Sequence, residues 1–226
     1  MENKIGVGYG VIFDLDGVIV DSHDCHKESF YIIAEEEGIQ MTDELFLQGF
    51  GRRNDELFPI FLGRPLDREK LDDLSDRKES LYRELMRKAG VKALPGAVEF
   101  IKDLKNNGFK ISIGSSTCLE NIEFVLSEIG IINDFDAIVS AEDVTVGKPN
   151  PKVFLLGAEK IGITAENCVV AEDAVSGVEA AKSGNMKALG ITTTRAREFL
   201  KEANADLVVD SLEEVNAKKM KLLLNN

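Results

Sequence analysis

The chain has 226 residues, 44% of them hydrophobic and 30% charged, which suits one large soluble domain or one domain carrying a modest insert. Its 40 acidic side chains against 27 basic ones leave a formal charge of −13, which excludes a broad basic surface for nucleic acid and argues against docking on anionic lipid. Cys25, Cys118 and Cys168 are too scattered for a disulfide framework or a zinc pattern, and no apolar run fits a signal or membrane-spanning segment, so a cytoplasmic location is the expectation.

In chain order, the glycines at positions 6, 8 and 10 precede an apolar run; a dinucleotide loop needs them after a strand, at a helix N-terminus. Residues 11–13 read as the first strand, stopped by Asp14. Residues 23–91 then hold several helical patterns rich in Glu, Lys and Arg. Adjacent parallel strands need only one crossover helix, so this stretch predicts a helical cap domain (23–91) inserted into a core made of residues 1–22 and 92–226, with an elaborate crossover as the alternative. Pro95-Gly96 marks the return to the core.

Residues 111–114 form a second apolar run, ending at Ser115. Thr117-Cys118-Leu119-Glu120 has the form of a capping box, predicted to open a helix, and Gly108 and Gly130 sit where helices should stop. Residues 137–139 lead into a loop carrying Lys148, and Asn150-Pro151 predicts an N-cap with proline in the first turn. Residues 168–171 end in Glu172 and Asp173. Residues 188–191 and 207–209 read as further strands, and Ser211-Leu212-Glu213-Glu214 as a capping box for the final helix. Apolar runs alternating with amphipathic helices predict an α/β fold, a doubly wound parallel sheet covered on both faces.

Parallel strands would bring Asp14 and Asp16, Ser115, Lys148, and Glu172 and Asp173 to one sheet edge. Each alone has an ordinary explanation as a cap, a turn or a solvated loop; four polar strand ends in succession point to a site. Carboxylates crowded there would repel one another or take up protons unless a cation joined them. Oxygen ligands without histidine or thiolate suit Mg²⁺, while Lys148, Ser115 and the backbone N–H groups of the next helix suit an anion, together fitting a phosphoryl group.

Asp14-Leu15-Asp16-Gly17-Val18, Ser115 after its apolar run, Gly147-Lys148-Pro149-Asn150-Pro151 and Glu172-Asp173 stand in the order of the four motifs of the haloacid dehalogenase superfamily, which the chain resembles over nearly its whole length. The closer resemblance is to the β-phosphoglucomutase-like and sugar-phosphate phosphatase branch, whose helical cap follows the first motif. It implies a Rossmannoid core, Mg²⁺ and an aspartyl-phosphate intermediate. Asp14 would be the nucleophile and a metal ligand, and Asp16 the general acid and base, binding Mg²⁺ through its backbone carbonyl. Asp173 would complete the metal site with Glu172 in direct or outer support, Ser115 and Lys148 would hold phosphoryl oxygens, and Ser116 would bind substrate. A dehalogenase would lack the second aspartate. Two departures stand out: Lys152 occupies a position commonly held by Asp, and Cys118-Leu119 replace the Lys-Asn pair that mutase-like members often use on substrate.

Within the cap, His26 matches a position where related enzymes place a histidine assisting the second aspartate. Arg52 falls in a loop resembling the one that addresses substrate, and Lys78 resembles a basic residue that meets a second phosphate. For each, a core or solvated helix residue is the plainer alternative. The three cysteines read as inert packing residues. The expectation is a monomeric phosphatase acting on a small phosphorylated metabolite, a sugar or polyol phosphate, without nucleic-acid or membrane partners. A β-phosphoglucomutase-like mutase and a non-catalytic phosphate-binding or partner-regulating protein are the alternatives.

Overall fold

A computed structural model describes residues 8–49 and 53–225. The chain divides into two compact units: one runs up to Asp21 and resumes from Lys92, and the other is Ser22–Val91.

The first element among the described residues is strand β1 (Gly10–Phe13), which belongs to the first unit. Among its described residues the second unit carries four helices: α1 (His23–Glu36), α2 (Asp43–Gly49), α3 (Asn54–Phe61) and α4 (Arg68–Ala89). The chain then returns to the first unit through α5 (Ala97–Asn106), β2 (Lys110–Gly114), α6 (Leu119–Ile129), β3 (Ala137–Val139), α7 (Lys152–Ile161) and β4 (Cys168–Glu172). It ends with α8 (Val175–Ser183), β5 (Lys187–Ile191), α9 (Arg197–Glu202), β6 (Leu207–Val209) and α10 (Ala217–Leu224). No helix among the described residues is long and apolar enough to cross a membrane.

The six strands form one parallel sheet in the order β3-β2-β1-β4-β5-β6, the arrangement of a Rossmann-like α/β core. β1 is completely buried, as a central strand covered on both faces requires, and its side chains include no polar group until Asp14. Ile12, Val170, Phe154 and Ala158 join one apolar cluster, which packs α7 onto the sheet. Strand order reverses between β1 and β4, and a crevice opens at the C-terminal ends of strands where such a reversal occurs.

The helical unit has its own core. Phe30 lies at its centre, with its ring centroid 5.7 Å from that of Phe58 and 5.3 Å from that of Phe61, and Ile33, Phe46, Leu57, Leu74 and Leu81 complete the cluster. Truncating a buried phenylalanine of this kind to alanine costs about 3–5 kcal/mol.

Three helix starts differ from the sequence reading. The α6 N-cap is Cys118, and Thr117 does not cap the helix; the Leu119 N–H donates instead to Glu142 Oε2 at 3.1 Å, a long-range cap that local spacing cannot reveal. α7 begins at Lys152 after Pro151, with the Asn150 carboxamide oxygen accepting the Lys152 N–H at 3.0 Å. Ser211 and Glu214 do form a capping box, but it closes the 3-10 turn Leu212–Glu214. Asn216 caps the final helix by accepting from the Lys219 N–H at 3.0 Å. Gly130 is the C-cap of α6, and Gly108 follows the C-cap of α5, as expected.

Candidate active site

Register alone begins the site. Phe13 pairs with Ile113 on one side and Ala171 on the other, so the next residues, Asp14 and Glu172, leave adjacent strand ends together. The Asp14 N–H extends the ladder by donating to the Ala171 carbonyl at 3.0 Å. Ser115 leaves the end of β2 on the opposite side of β1, with its N–H donating to the Val139 carbonyl at 3.1 Å.

Lys148, from the loop before α7, enters between two carboxylates. Its Nζ donates to Asp14 Oδ1 and to Glu172 Oε2, each at 2.8 Å, and stands 4.8 Å from the Phe154 ring centroid. Asp14, Lys148, Glu172 and Asp173 are all at least 90% shielded from solvent. Asp14, Glu172 and Asp173 each offer an oxygen within 4.8 Å of the others. Two of these three buried carboxylates, Asp14 and Glu172, are bridged by one ammonium, and Asp173 lies beside them.

The electrostatic consequence is strong. Burial first, and then the Glu172 charge, push the Asp14 carboxyl up to about 7 against the opposing pull of Lys148. Burial, Glu172 and Asp14 likewise raise Asp173 well above the usual carboxylate range. For Lys148, burial disfavours the charge, but Asp14 and Glu172 outweigh it and hold the ammonium protonated. A cluster that takes up protons when left to itself is one whose charge calls for a cation, and the all-oxygen donor set of Asp14, Glu172 and Asp173 fits Mg²⁺.

Hydroxyl groups orient the remaining pieces. Thr117 donates to Asp16 Oδ2 at 2.8 Å, and its own N–H donates to Ser115 Oγ at 3.2 Å. Thr194, in the loop after β5, donates to Asp173 Oδ2. The Ala174 N–H holds Glu172 Oε1 at 3.1 Å. Neither Thr117 nor Thr194 is legible as a site residue in the sequence; a hydroxyl two positions after Ser115 was the one available signal, and it reads equally well as a cap. Ser116 lies half-buried in the same turn as Thr117.

The helical unit shows a separate buried cluster. Lys78 Nζ lies 2.9 Å from His26 Nδ1 and donates to Glu79 Oε1 at 3.0 Å, while Asn54 Nδ2 donates to the same oxygen at 2.7 Å. His26 stacks on Tyr82 with ring centroids 4.2 Å apart. Burial works against the Glu79 charge, but Lys78, His26 and Asn54 together outweigh it and keep this carboxyl below the usual range. Arg52 lies outside the described residues. Among the cysteines, burial pushes the Cys168 thiol up to about 12, far from a reactive thiolate.

The haloacid dehalogenase-like hydrolase family profile matches residues 11–191, and the chain belongs to that family. It is 33% identical to the β-phosphoglucomutase of Bacillus subtilis (strain 168) over 214 residues, covering 90% of this chain and 93% of that protein. It is 30% identical to the phosphorylated carbohydrates phosphatase of Thermotoga maritima over 215 residues, covering 92% and 97%. The crystal structure of β-phosphoglucomutase from Clostridium difficile superposes with a TM-score of 0.87 at 29% identity, covering 97% of this chain and 98% of that one. Two longer curated relatives from Arabidopsis thaliana are matched over 20% and 60% of their own lengths.

Proposed function

We propose that the chain is a Mg²⁺-dependent phosphatase that hydrolyses a small phosphorylated metabolite, a sugar or polyol phosphate, through an aspartyl-phosphate on Asp14. One observation carries this reading: Asp14 is buried at the end of β1 with Lys148 Nζ 2.8 Å from its Oδ1 and two further carboxylates beside it.

Asp14, Asp173 and the Asp16 backbone carbonyl would hold Mg²⁺, with Glu172 in direct or outer support. Bound there, Mg²⁺ supplies neutralising charge to the phosphoryl oxygens. Asp14 attacks phosphorus, and the bond from phosphorus to the substrate oxygen breaks as protonated Asp16 donates to that leaving oxygen. In the second half Asp16 takes a proton from water, the water oxygen attacks phosphorus, and the bond to Asp14 breaks, releasing inorganic phosphate and restoring both carboxyl groups. Lys148, Ser115 and Ser116 bind phosphoryl oxygens, the positioning and charge neutralisation that phosphoryl transfer mainly requires. We assign the helical unit the role of a cap, with Arg52 recognising the rest of the substrate; Lys78, buried, bonded to Glu79 and set against the buried His26, suits support of the cap's interior over contact with substrate.

Similarity to a phosphorylated carbohydrates phosphatase supports hydrolysis; similarity to β-phosphoglucomutases favours a second reading, in which a sugar hydroxyl replaces water. Cys118 and Leu119, in place of a Lys-Asn pair, favour water. The deciding experiment incubates the enzyme with β-glucose 1-phosphate, Mg²⁺ and a trace of the 1,6-bisphosphate while phosphorus NMR is followed, alongside a sugar-phosphate panel. Phosphate release without isomerisation supports the phosphatase; conversion to glucose 6-phosphate without inorganic phosphate supports the mutase. Inactivity across the whole panel would favour a non-catalytic phosphate binder.

A further inference from the structure

The loop after β5 carries Thr192, Thr193 and Thr194 in succession, and each hydroxyl donates to a different part of the core. Thr192 reaches Asp210 Oδ1, just past β6, at 2.7 Å; Thr193 reaches the Gly17 carbonyl oxygen; Thr194 reaches Asp173 Oδ2. We propose that this run is a positioning strap for the cation site, with Thr194 fixing one oxygen of Asp173 and leaving the other for the metal. The proposal rests on the reading above that Asp173 is a Mg²⁺ ligand.

The packing around Thr194 is close on the side of the β1 loop. Gly17 has a φ of +76°, and a Cβ there would fall 2.0 Å from Asp173 Oδ2 and 3.0 Å from Thr194 Oγ1. The backbone that follows Asp16 therefore lies directly against the Thr194–Asp173 pair, and Thr193 ties that same backbone to the strap. One loop thus holds both the Asp173 carboxylate and the turn carrying Asp16. A buried carboxylate without such a donor keeps the freedom of its broad terminal torsion, so the hydroxyl selects one orientation before metal arrives. Removing an outer-shell partner of a metal ligand typically costs about 10–100-fold in metal affinity.

Thr194→Val keeps the shape and removes the donor, whereas Thr194→Ser keeps the donor. Each protein is stripped with EDTA and titrated with Mg²⁺ alone, following the rise in Tm, which reports binding independently of turnover. The valine variant is expected to need about 10–100-fold more Mg²⁺ for the same rise, and the serine variant to follow the wild-type curve. In turnover, the apparent Mg²⁺ constant of the valine variant rises while kcat at saturating Mg²⁺ stays near wild type. A folded valine variant with the wild-type titration overturns the strap; should valine not fold, Thr194→Ala against Thr194→Ser makes the same comparison. A wild-type protein whose Tm ignores Mg²⁺ overturns the metal-site reading itself, a result distinct from equal binding by both proteins.

Discussion

The Thr117 hydroxyl donates to Asp16 Oδ2 at 2.8 Å, joining the turn after β2 to the turn after β1. Thr117 is itself anchored twice through its backbone: its N–H donates to Ser115 Oγ at 3.2 Å and its carbonyl accepts the Ala141 N–H at 3.0 Å. The Asp16 carboxylate is therefore oriented by a residue that two other strand ends hold still. In the proposed reaction Asp16 first gives and then takes a proton, and both transfers depend on its direction.

Thr117→Val should lower kcat/KM about 10–100-fold, the equivalent of losing a hydrogen bond to a charged group worth about 1.5–3 kcal/mol. Thr117→Ser should retain most of the activity. Kinetics on a phosphate ester, with circular dichroism to check the fold, makes the comparison; a valine variant of wild-type efficiency would show that Asp16 needs no such support.

Lys148 should matter to stability as well as to chemistry. It is 6% exposed and bridges Asp14 and Glu172, so Lys148→Met strands two buried carboxylates. Breaking a buried charge set by removing one member costs about 3–5 kcal/mol. Urea unfolding in EDTA should show a loss of that order, partly recovered on adding Mg²⁺ because the cation replaces the missing charge. A variant as stable as wild type in EDTA would mean that the carboxylates discharge by protonation at little cost.

The sheet was legible because its strands are short apolar runs with abrupt polar ends, and those ends pointed to Asp14, Ser115, Glu172 and Asp173 as candidates, with Lys148 added from the loop before α7. What stayed hidden depends on direction in space. Thr117 and Glu120 have capping-box spacing, yet the Thr117 hydroxyl turns to Asp16 and the α6 N-terminus takes its acceptor from Glu142. Thr194 is one of three identical neighbours, and only the fold distinguishes which of them meets Asp173. The Lys78–His26 contact joins α1 to α4, a pairing that helical periodicity in either segment does not encode.

Two aspartates at the sheet margins should govern acid stability. Asp136, just before β3, accepts the Ile111 N–H at 2.9 Å and pairs with Lys110 and Lys105; Asp206, just before β6, accepts the Ala188 N–H at 2.8 Å and pairs with Lys182 and Lys187. Burial opposes both charges, but in each case the nearby lysine and the backbone N–H prevail and lower the carboxyl from its ordinary value. A lowered folded-state value contributes stability above the unfolded carboxylate range, lost as pH falls through the folded value. The double variant Asp136→Asn, Asp206→Asn should therefore be less stable than wild type near neutrality, and the gap should narrow below about pH 4. Denaturant midpoints across that range test it; a gap independent of pH would assign the loss to packing.

Gly177 offers a test in which two effects carry opposite signs. It lies inside α8, where replacing glycine by alanine ordinarily stabilises a helix by about 0.5–1 kcal/mol. Here a Cβ would fall 2.0 Å from Glu172 Cδ and 2.2 Å from Glu172 Oε2, the oxygen that accepts from Lys148. Glu172 is 1% exposed, so its carboxylate has little room to retreat. Moving it would stretch its bonds to Lys148 and to the Ala174 N–H. Overpacking of this kind costs about 1–3 kcal/mol, which outweighs the gain in helix propensity. Gly177→Ala should therefore lower Tm and reduce kcat/KM together, with more Mg²⁺ needed for full activity because Glu172 borders the proposed cation site. A higher Tm with unchanged Mg²⁺ dependence would show that Glu172 shifts freely and that its bond to Lys148 is dispensable.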